Sequence, residues 1–324
     1  MQAVTFDSFG GPEVLRLAEV PTPEPGPDEV LIRVLASGVN RADLLQRQGH
    51  YPPPRGASAI LGLEVSGVVD SVGDGVRGWQ SGDECVALLS GGGYAEYVAV
   101  PAGQVVQPPR GTDLVTASGL IEVAATVTSN LSLVGLRAGE TFLVHGGTGG
   151  IGTFAIQYAS GLGARVFATA GTPRKLELCR DLGAADAFDY HGNWLAALRE
   201  ATDGRGADVI LDVMGAAYLA SNLDALALDG RLVVIGLQGG RSGTLDLAKL
   251  LAKRASVTAT GLRGRPVEQK AAICAEVVQL VWPLIESGRI KPATETRYGA
   301  ADAAEAHRHL ASGEAVGKVI LTWT

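Results

Sequence analysis

The chain has 324 residues, 46% hydrophobic and 19% charged, with 44 glycines, 5% aromatics and a net charge of −7 from 27 Lys+Arg against 34 Asp+Glu. At roughly 150 residues per domain, this predicts about two globular domains with sizeable cores and argues against a disordered or fibrous chain. The acidic balance and the few rings argue equally against a polyanion binder or a nucleic-acid stacking platform.

Residues 1–7 show no basic stretch followed by an apolar one, so no secretory signal and a cytoplasmic protein are expected. After the breaker-rich residues 21–27, short β-branched runs predict strands at 30–35, 65–72, 85–89 and 95–100. Helical patterning is scarce there, so a mostly antiparallel β domain is expected, with Asn40 and Asp43 in a polar turn after the first run, where the bland reading of both is capping or Asx-turn bonding. Residues 119–136 are apolar but hold Glu122, Thr126, Thr128, Ser129 and Asn130, which a membrane span would have to bury.

Beyond residue 120 the texture changes to alternation. Strands are predicted at 141–145, 166–169, 187–190, 209–213, 232–237 and 257–261, with helices at 150–162, 174–182, 193–202, 219–227 and 247–255. Such alternation requires parallel strands joined by right-handed crossovers, an α/β doubly wound sheet. A helix at 268–287 leads away, and a helix at 300–311 and a strand at 318–322 return to the first domain. The predicted organisation is therefore 121–265 inserted into a discontinuous β-rich domain of 1–120 and 266–324.

The strongest chemical signal is Gly147, Gly149 and Gly152, a G-x-G-x-x-G directly after one strand and before a helix. One glycine permits the turn, one lets backbone approach a pyrophosphate, and one lets helix pack on strand; the helix N-terminus then faces the anion. The next strand ends without the acid that binds a ribose 2′-hydroxyl, and Gly171, Thr172, Arg174 and Lys175 follow. Hydroxyl and cationic groups attract a 2′-phosphate, which predicts NADPH over NADH. The bland alternative is a pair of solvated charges in a helix's first turn.

Three motifs resemble the zinc-free quinone oxidoreductases of the medium-chain dehydrogenase/reductase superfamily. They are Asn40-Arg41-Ala42-Asp43-Leu44-Leu45-Gln46-Arg47-Gln48-Gly49-His50-Tyr51-Pro52, Leu61-Gly62-Leu63-Glu64-Val65-Ser66-Gly67 and the glycine-rich turn. The resemblance is nearest the tumour-suppressor-inducible subgroup related to zeta-crystallin, and extends to Leu226-Ala227-Leu228-Asp229-Gly230-Arg231 and Gly317-Lys318-Val319-Ile320-Leu321. It implies a Rossmann sheet inserted into a discontinuous GroES-like catalytic domain. It further implies that Asn40, Asp43 and Tyr51 line the nicotinamide and substrate cleft. Gly150 and Ile151 would touch the pyrophosphate, while Gly171, Lys175 and Tyr190 would surround the 2′-phosphate and ribose. Leu237, Leu262 and Lys318 would contact the nicotinamide half. Thr128 stands where some relatives carry a cofactor-contacting Tyr.

Zinc-dependent relatives use Cys, His and an acid; the matching places here hold Asn40 and Leu63, leaving Glu64 as a lone carboxylate more suited to accepting hydrogen bonds. Cys85, Cys179 and Cys274 are isolated, so no four-thiolate site is expected, and His307 and His309 at i, i+2 do not share a helical face. No metal is expected. An acceptor that takes hydride without a metal is a quinone or an α,β-unsaturated carbonyl, with Tyr51 either donating a proton or serving as an aromatic wall. Arg263, in the segment closing the last strand, belongs either to a lid or to the solvated surface. The alternatives to an NADPH-dependent quinone oxidoreductase are an enoyl-thioester reductase, which calls for a basic docking surface, and an NADPH-binding protein with little turnover, as in lens crystallins. No nucleic-acid or membrane partner is expected. A homodimer would pair the last sheet strand edge to edge.

Overall fold

The computed structural model describes residues 1–323. The chain divides into two compact units, Met1–Ala125 with Leu262–Thr324, and Thr126–Gly261. The helix Ile121–Val134 runs across the first change-over, which shifts it five residues past the expected 120.

The first unit is built on strands β1 (Gln2–Thr5), β2 (Arg16–Glu19), β3 (Glu29–Val39), β4 (Glu64–Val72), β5 (Glu84–Leu88), β6 (Tyr97–Pro101) and β7 (Val105–Val106). The chain then forms the other unit's strands, β8 (Thr141–Val144), β9 (Arg165–Ala170), β10 (Asp186–Asp189), β11 (Ala207–Asp212), β12 (Leu226–Val234) and β13 (Ser256–Ala259). It returns with β14 (Glu295–Gly299) and β15 (Lys318–Thr322).

In the first unit a sheet runs β14-β15-β3-β4-β5-β7, with β6 also on β3. Alternate residues of β3, Val30, Ile32 and Val34, enter a core shared with Leu44, Leu61, Val65, Tyr94, Val98, Val319 and Leu321. The register matters for the site. Val319 lies opposite Val39, and Ser37 opposite Val65. Asn40, Glu64 and Lys318 therefore fall at one end of three neighbouring strands.

Asn40 and Asp43 take the capping role, but the polar turn expected around them is the helix Arg41–Arg47, which buries Asp43, Gln46 and Arg47 beside a single apolar Leu44. Buried polar groups leave no hydrophobic stripe, which is why periodicity misses this helix. The single helix expected at 268–287 is two, Val267–Leu280 and Trp282–Glu286, because Pro283 has no N–H with which to continue the first.

The second unit is a parallel sheet in the order β10-β9-β8-β11-β12-β13. Leu143, Phe167, Ile210 and Leu232 share its core, as expected of strands covered on both faces. This is the doubly wound Rossmann arrangement, whose strand order reverses between β8 and β11, the place where such sheets bind ligands. β12 starts at Leu226, six residues before the expected 232, and β13 forms the outer edge. Residues Leu114–Val134 are long and apolar enough to cross a membrane by length and composition, yet most of their side chains are buried within the fold.

Candidate active site

β8 ends at Val144, and the chain turns through Gly146–Gly149 into the helix Gly150–Gly161. A Cβ on Gly152 would lie 2.2 Å from the Gly146 carbonyl oxygen, and one on Gly147 would lie 2.6 Å from Cys179 Sγ. Those two glycines are demanded by packing within the protein. Gly149 differs, since its Cβ would meet nothing closer than 3.7 Å. It is the helix N-cap and offers no side chain, so no side chain satisfies the first-turn N–H groups, including those of Gly150 and Ile151. An uncapped helix N-terminus reached over a residue without a Cβ fits a pyrophosphate.

The turn is braced from below by a residue that sequence reasoning passed over. His145 is buried, with Nε2 donating to Asn222 Oδ1 at 2.8 Å and Nδ1 accepting from the Thr169 hydroxyl at 3.1 Å. Burial pulls its pKa down to about 4, so the ring is neutral. Thr169 Oγ1 in turn accepts from Gly146 N–H at 3.3 Å.

At the ends of β9 and β10 Gly171 meets Tyr190, and Thr172 and Lys175 open the helix that follows β9. A Cβ on Gly171 would lie 2.3 Å from the Tyr190 hydroxyl, and Thr172 caps the helix Pro173–Asp181 by accepting from Lys175 N–H. Arg174 is exposed on that helix's first turn. The nearby Asp189 carboxylate accepts from His191 N–H at 2.9 Å. Leu237 stands in the loop after β12, half exposed and against Gly215. Leu262 opens the return into the β-rich unit.

In that unit, Lys318 Nζ donates to Glu64 Oε1 at 2.6 Å and to Asn40 Oδ1 at 2.8 Å. Asn40 Nδ2 donates to the same Glu64 oxygen at 3.0 Å, and Glu122 N–H donates to Glu64 Oε2. All three side chains are buried. Asp43, also buried, accepts from the N–H groups of Asn40 and Gly62 and from the Tyr94 hydroxyl. Burial outweighs those bonds and pushes its pKa up to about 6. Asp43 thus holds Asn40 at its helix cap, with its oxygens taken by protein donors. Behind it, Tyr94 receives a hydrogen bond from His307 Nε2, and Arg47 donates to His307 Nδ1. His307 is buried in this chain of bonds rather than facing water on a polar helix, and burial takes its pKa down to about 3.

Tyr51 is half buried, and desolvation raises the pKa of its phenol. The Arg263 guanidinium lies 5.3 Å from its ring centroid and donates to its carbonyl oxygen. Arg263 is 5% exposed and also donates to Gln46 Oε1 at 2.6 Å and Ser90 O at 2.8 Å. The reading of Arg263 as a solvated surface charge is therefore corrected. Its own sequence neighbourhood, rich in Gly and Arg, gives no sign of burial.

Residues 26–110 match the alcohol dehydrogenase GroES-like domain, and residues 150–278 match the family described as zinc-binding dehydrogenase. A quinone oxidoreductase of Pseudomonas aeruginosa is 35% identical over 326 residues, covering 98% of each chain. The chain belongs to the quinone oxidoreductase family. Among solved family structures, Escherichia coli quinone oxidoreductase complexed with NADPH superposes at a TM-score of 0.89 with 28% identity, covering 100% of both chains. A mycobacterial protein, also complexed with NADPH, does so at 0.88 with 34% identity and the same coverage. As a member of this family the protein is an oxidoreductase. Among its described residues no three His, Cys, Asp or Glu side chains gather as a metal would need. Its thiols are buried, with pKa values pushed up by desolvation to about 12 at Cys85 and Cys274 and about 11 at Cys179.

Proposed function

We propose that the protein is an NADPH:quinone oxidoreductase that works without zinc, delivering hydride to a quinone or an α,β-unsaturated carbonyl. The observation that carries the zinc-free part is the Lys318 ammonium seated on Glu64 and Asn40. A metal bound at Glu64 would have to displace a cation already 2.6 Å from its Oε1, and the side chain beside it is an amide, a poor zinc ligand. The NADPH preference rests on the Thr172 hydroxyl and the Tyr190 phenol at the ends of β9 and β10, on Arg174 and Lys175 in the first turn of the helix that Thr172 caps, and on the E. coli relative's complex.

Bound NADPH supplies a hydride; the chain's own residues do the rest. The uncapped helix at Gly149–Ile151 holds diphosphate charge, and Thr172, Arg174, Lys175 and Tyr190 hold the 2′-phosphate. Lys318, with one of its three ammonium donors not spent on Glu64 or Asn40, offers a polar hydrogen where β3 and β15 meet, and Asn40, held by Asp43, positions it. Leu237 and Leu262 supply apolar walls. Tyr51, braced by Arg263, walls the acceptor from water and keeps its phenol protonated because burial raises its pKa. A homodimer joined along the β13 edge completes the reading.

The test is NADPH consumption with a panel of quinones, enones and enoyl thioesters, repeated after exhaustive chelation. Quinone turnover that survives chelation is expected. Turnover lost with chelation and restored by zinc defeats the metal-free part, and preference for enoyl thioesters moves the substrate assignment to that class. Binding of NADPH with no turnover leaves only a cofactor-binding protein.

A further inference from the structure

A cavity of about 600 Å3 in the β-rich unit lies between residues 54–58, the turn Ser90-Gly91-Gly92, β6 and the start of the helix Val267–Leu280. Arg55, Arg263, Arg265 and Lys270 line it against a single carboxylate, Glu29, whose Oε2 already accepts from Gly26 N–H at 2.9 Å. The excess of positive charge runs opposite to the net −7 of the chain.

Two of these cations are buried with no carboxylate in hydrogen-bond contact, and only Arg263 has an anion near enough to favour its charge, Asp43. Lys270 is 4% exposed, and its ammonium donates to one neutral oxygen, Ser90 Oγ, at 2.5 Å. An ammonium carries three donors, so two are left over. Arg263 also spends its donors on neutral oxygens of Ser90, Tyr51 and Gln46. Burial lowers the pKa of both side chains, and at Arg263 the Asp43 carboxylate offsets only part of that desolvation. Lys270 stands in the first turns of a 14-residue helix whose N-terminus no side chain caps, although Glu268 sets one acid in its first turn.

We propose that this cavity binds an oxyanion, a carboxylate or phosphate, carried at the far end of the hydride acceptor. The assignment rests on the reductase reading above, because Arg263 is what joins cavity to acceptor: it stacks on Tyr51 and lines the cavity. An anion there supplies the countercharge that Lys270 lacks and adds to that of Asp43 at Arg263, through charge-assisted bonds stronger than those to neutral oxygens. The preferred acceptors are then quinones or enones extended by an acidic tail, and small neutral quinones use only the Tyr51 end.

The experiment compares three naphthoquinones with the full chain and NADPH: one with a short tail ending in a carboxylate, one in a phosphate, one in a methyl ester. The acidic forms are expected to exceed the ester about tenfold in kcat/KM, the worth of one charge-assisted bond. Whichever acid gains more identifies the natural tail. Lys270→Gln should bring that ratio close to one, and Arg55→Gln at the exposed rim should lower it about threefold. Equal use of all three quinones, or a ratio unmoved in both variants, overturns the anion site while leaving the reductase intact. If no quinone turns over, the reductase reading fails by itself. The cavity is then judged by thermal unfolding of the full chain in inorganic phosphate against chloride at matched ionic strength. Stabilisation by phosphate that Lys270→Gln or Arg55→Gln diminishes supports the anion site, and its absence overturns it.

Discussion

The turn after β8 and the cluster at the ends of β3, β4 and β15 are made of different material. The turn presents backbone: five glycines within the seven residues 146–152, a helix start without a cap, and a buried neutral His145 beneath. The cluster presents side chains from positions 40, 64 and 318, united only by strand register. A backbone site is local in sequence and fails by crowding. A side-chain site is scattered and fails by losing one member of a charge balance.

The largest effect is expected where that balance is broken. Lys318→Met leaves the fully buried Glu64 carboxylate without its ammonium, and uncompensated buried charge costs about 3–5 kcal/mol. Denaturant unfolding should show that loss, and Glu64→Gln/Lys318→Met should recover most of it because no charge is then left alone. A single variant as stable as the parent would mean that Glu64 is served by other groups.

Crowding in the turn should separate two glycines by readout. Gly152→Ala forces a Cβ to within 2.2 Å of the Gly146 carbonyl, so a stability loss of about 1–3 kcal/mol is expected even without cofactor. Gly149→Ala has no such contact, so the melting temperature should hold while NADPH affinity falls about tenfold or more, since the new methyl stands at the anion's approach. Equal NADPH affinity in parent and Gly149→Ala would remove the pyrophosphate from this turn.

The same contrast explains what could be read in advance. The glycine turn and the parallel sheet were legible because spacing and apolar runs encode them locally. The helix Arg41–Arg47 was not, since Asp43, Gln46 and Arg47 are buried where apolar residues would have marked a face. Asn40 and Lys318 entered through family resemblance, and nothing in their own neighbourhoods announces that they meet. Buried Arg263 was invisible for a related reason: its partners are the carbonyls of Tyr51 and Ser90 and an amide oxygen of Gln46, groups that leave no charge pattern in a sequence.

A smaller effect is expected at the rim of the turn's own unit. Lys175→Ala removes one ammonium from the first turn of the helix capped by Thr172, and NADPH affinity should fall about tenfold, as for one charge-assisted bond. NADH affinity should not move, because it carries no 2′-phosphate. Parallel losses for both cofactors in a binding titration would make Lys175 a helix residue and nothing more.

The smallest effect is expected at Tyr51, half buried in the same β-rich unit as the cluster. A proton donor of real weight contributes roughly 10²–10⁴-fold. Burial raises the Tyr51 pKa and makes the phenol a weaker acid, while Arg263 braces the ring through its face and its carbonyl rather than its hydroxyl. What the surroundings hold in place is therefore the ring. Tyr51→Phe should keep kcat for a quinone within about tenfold of the parent, below the range expected of a general acid. A loss of a hundredfold, with KM unchanged, would instead make the hydroxyl the proton source, and the charge-balanced site would then gain its one titrating catalyst.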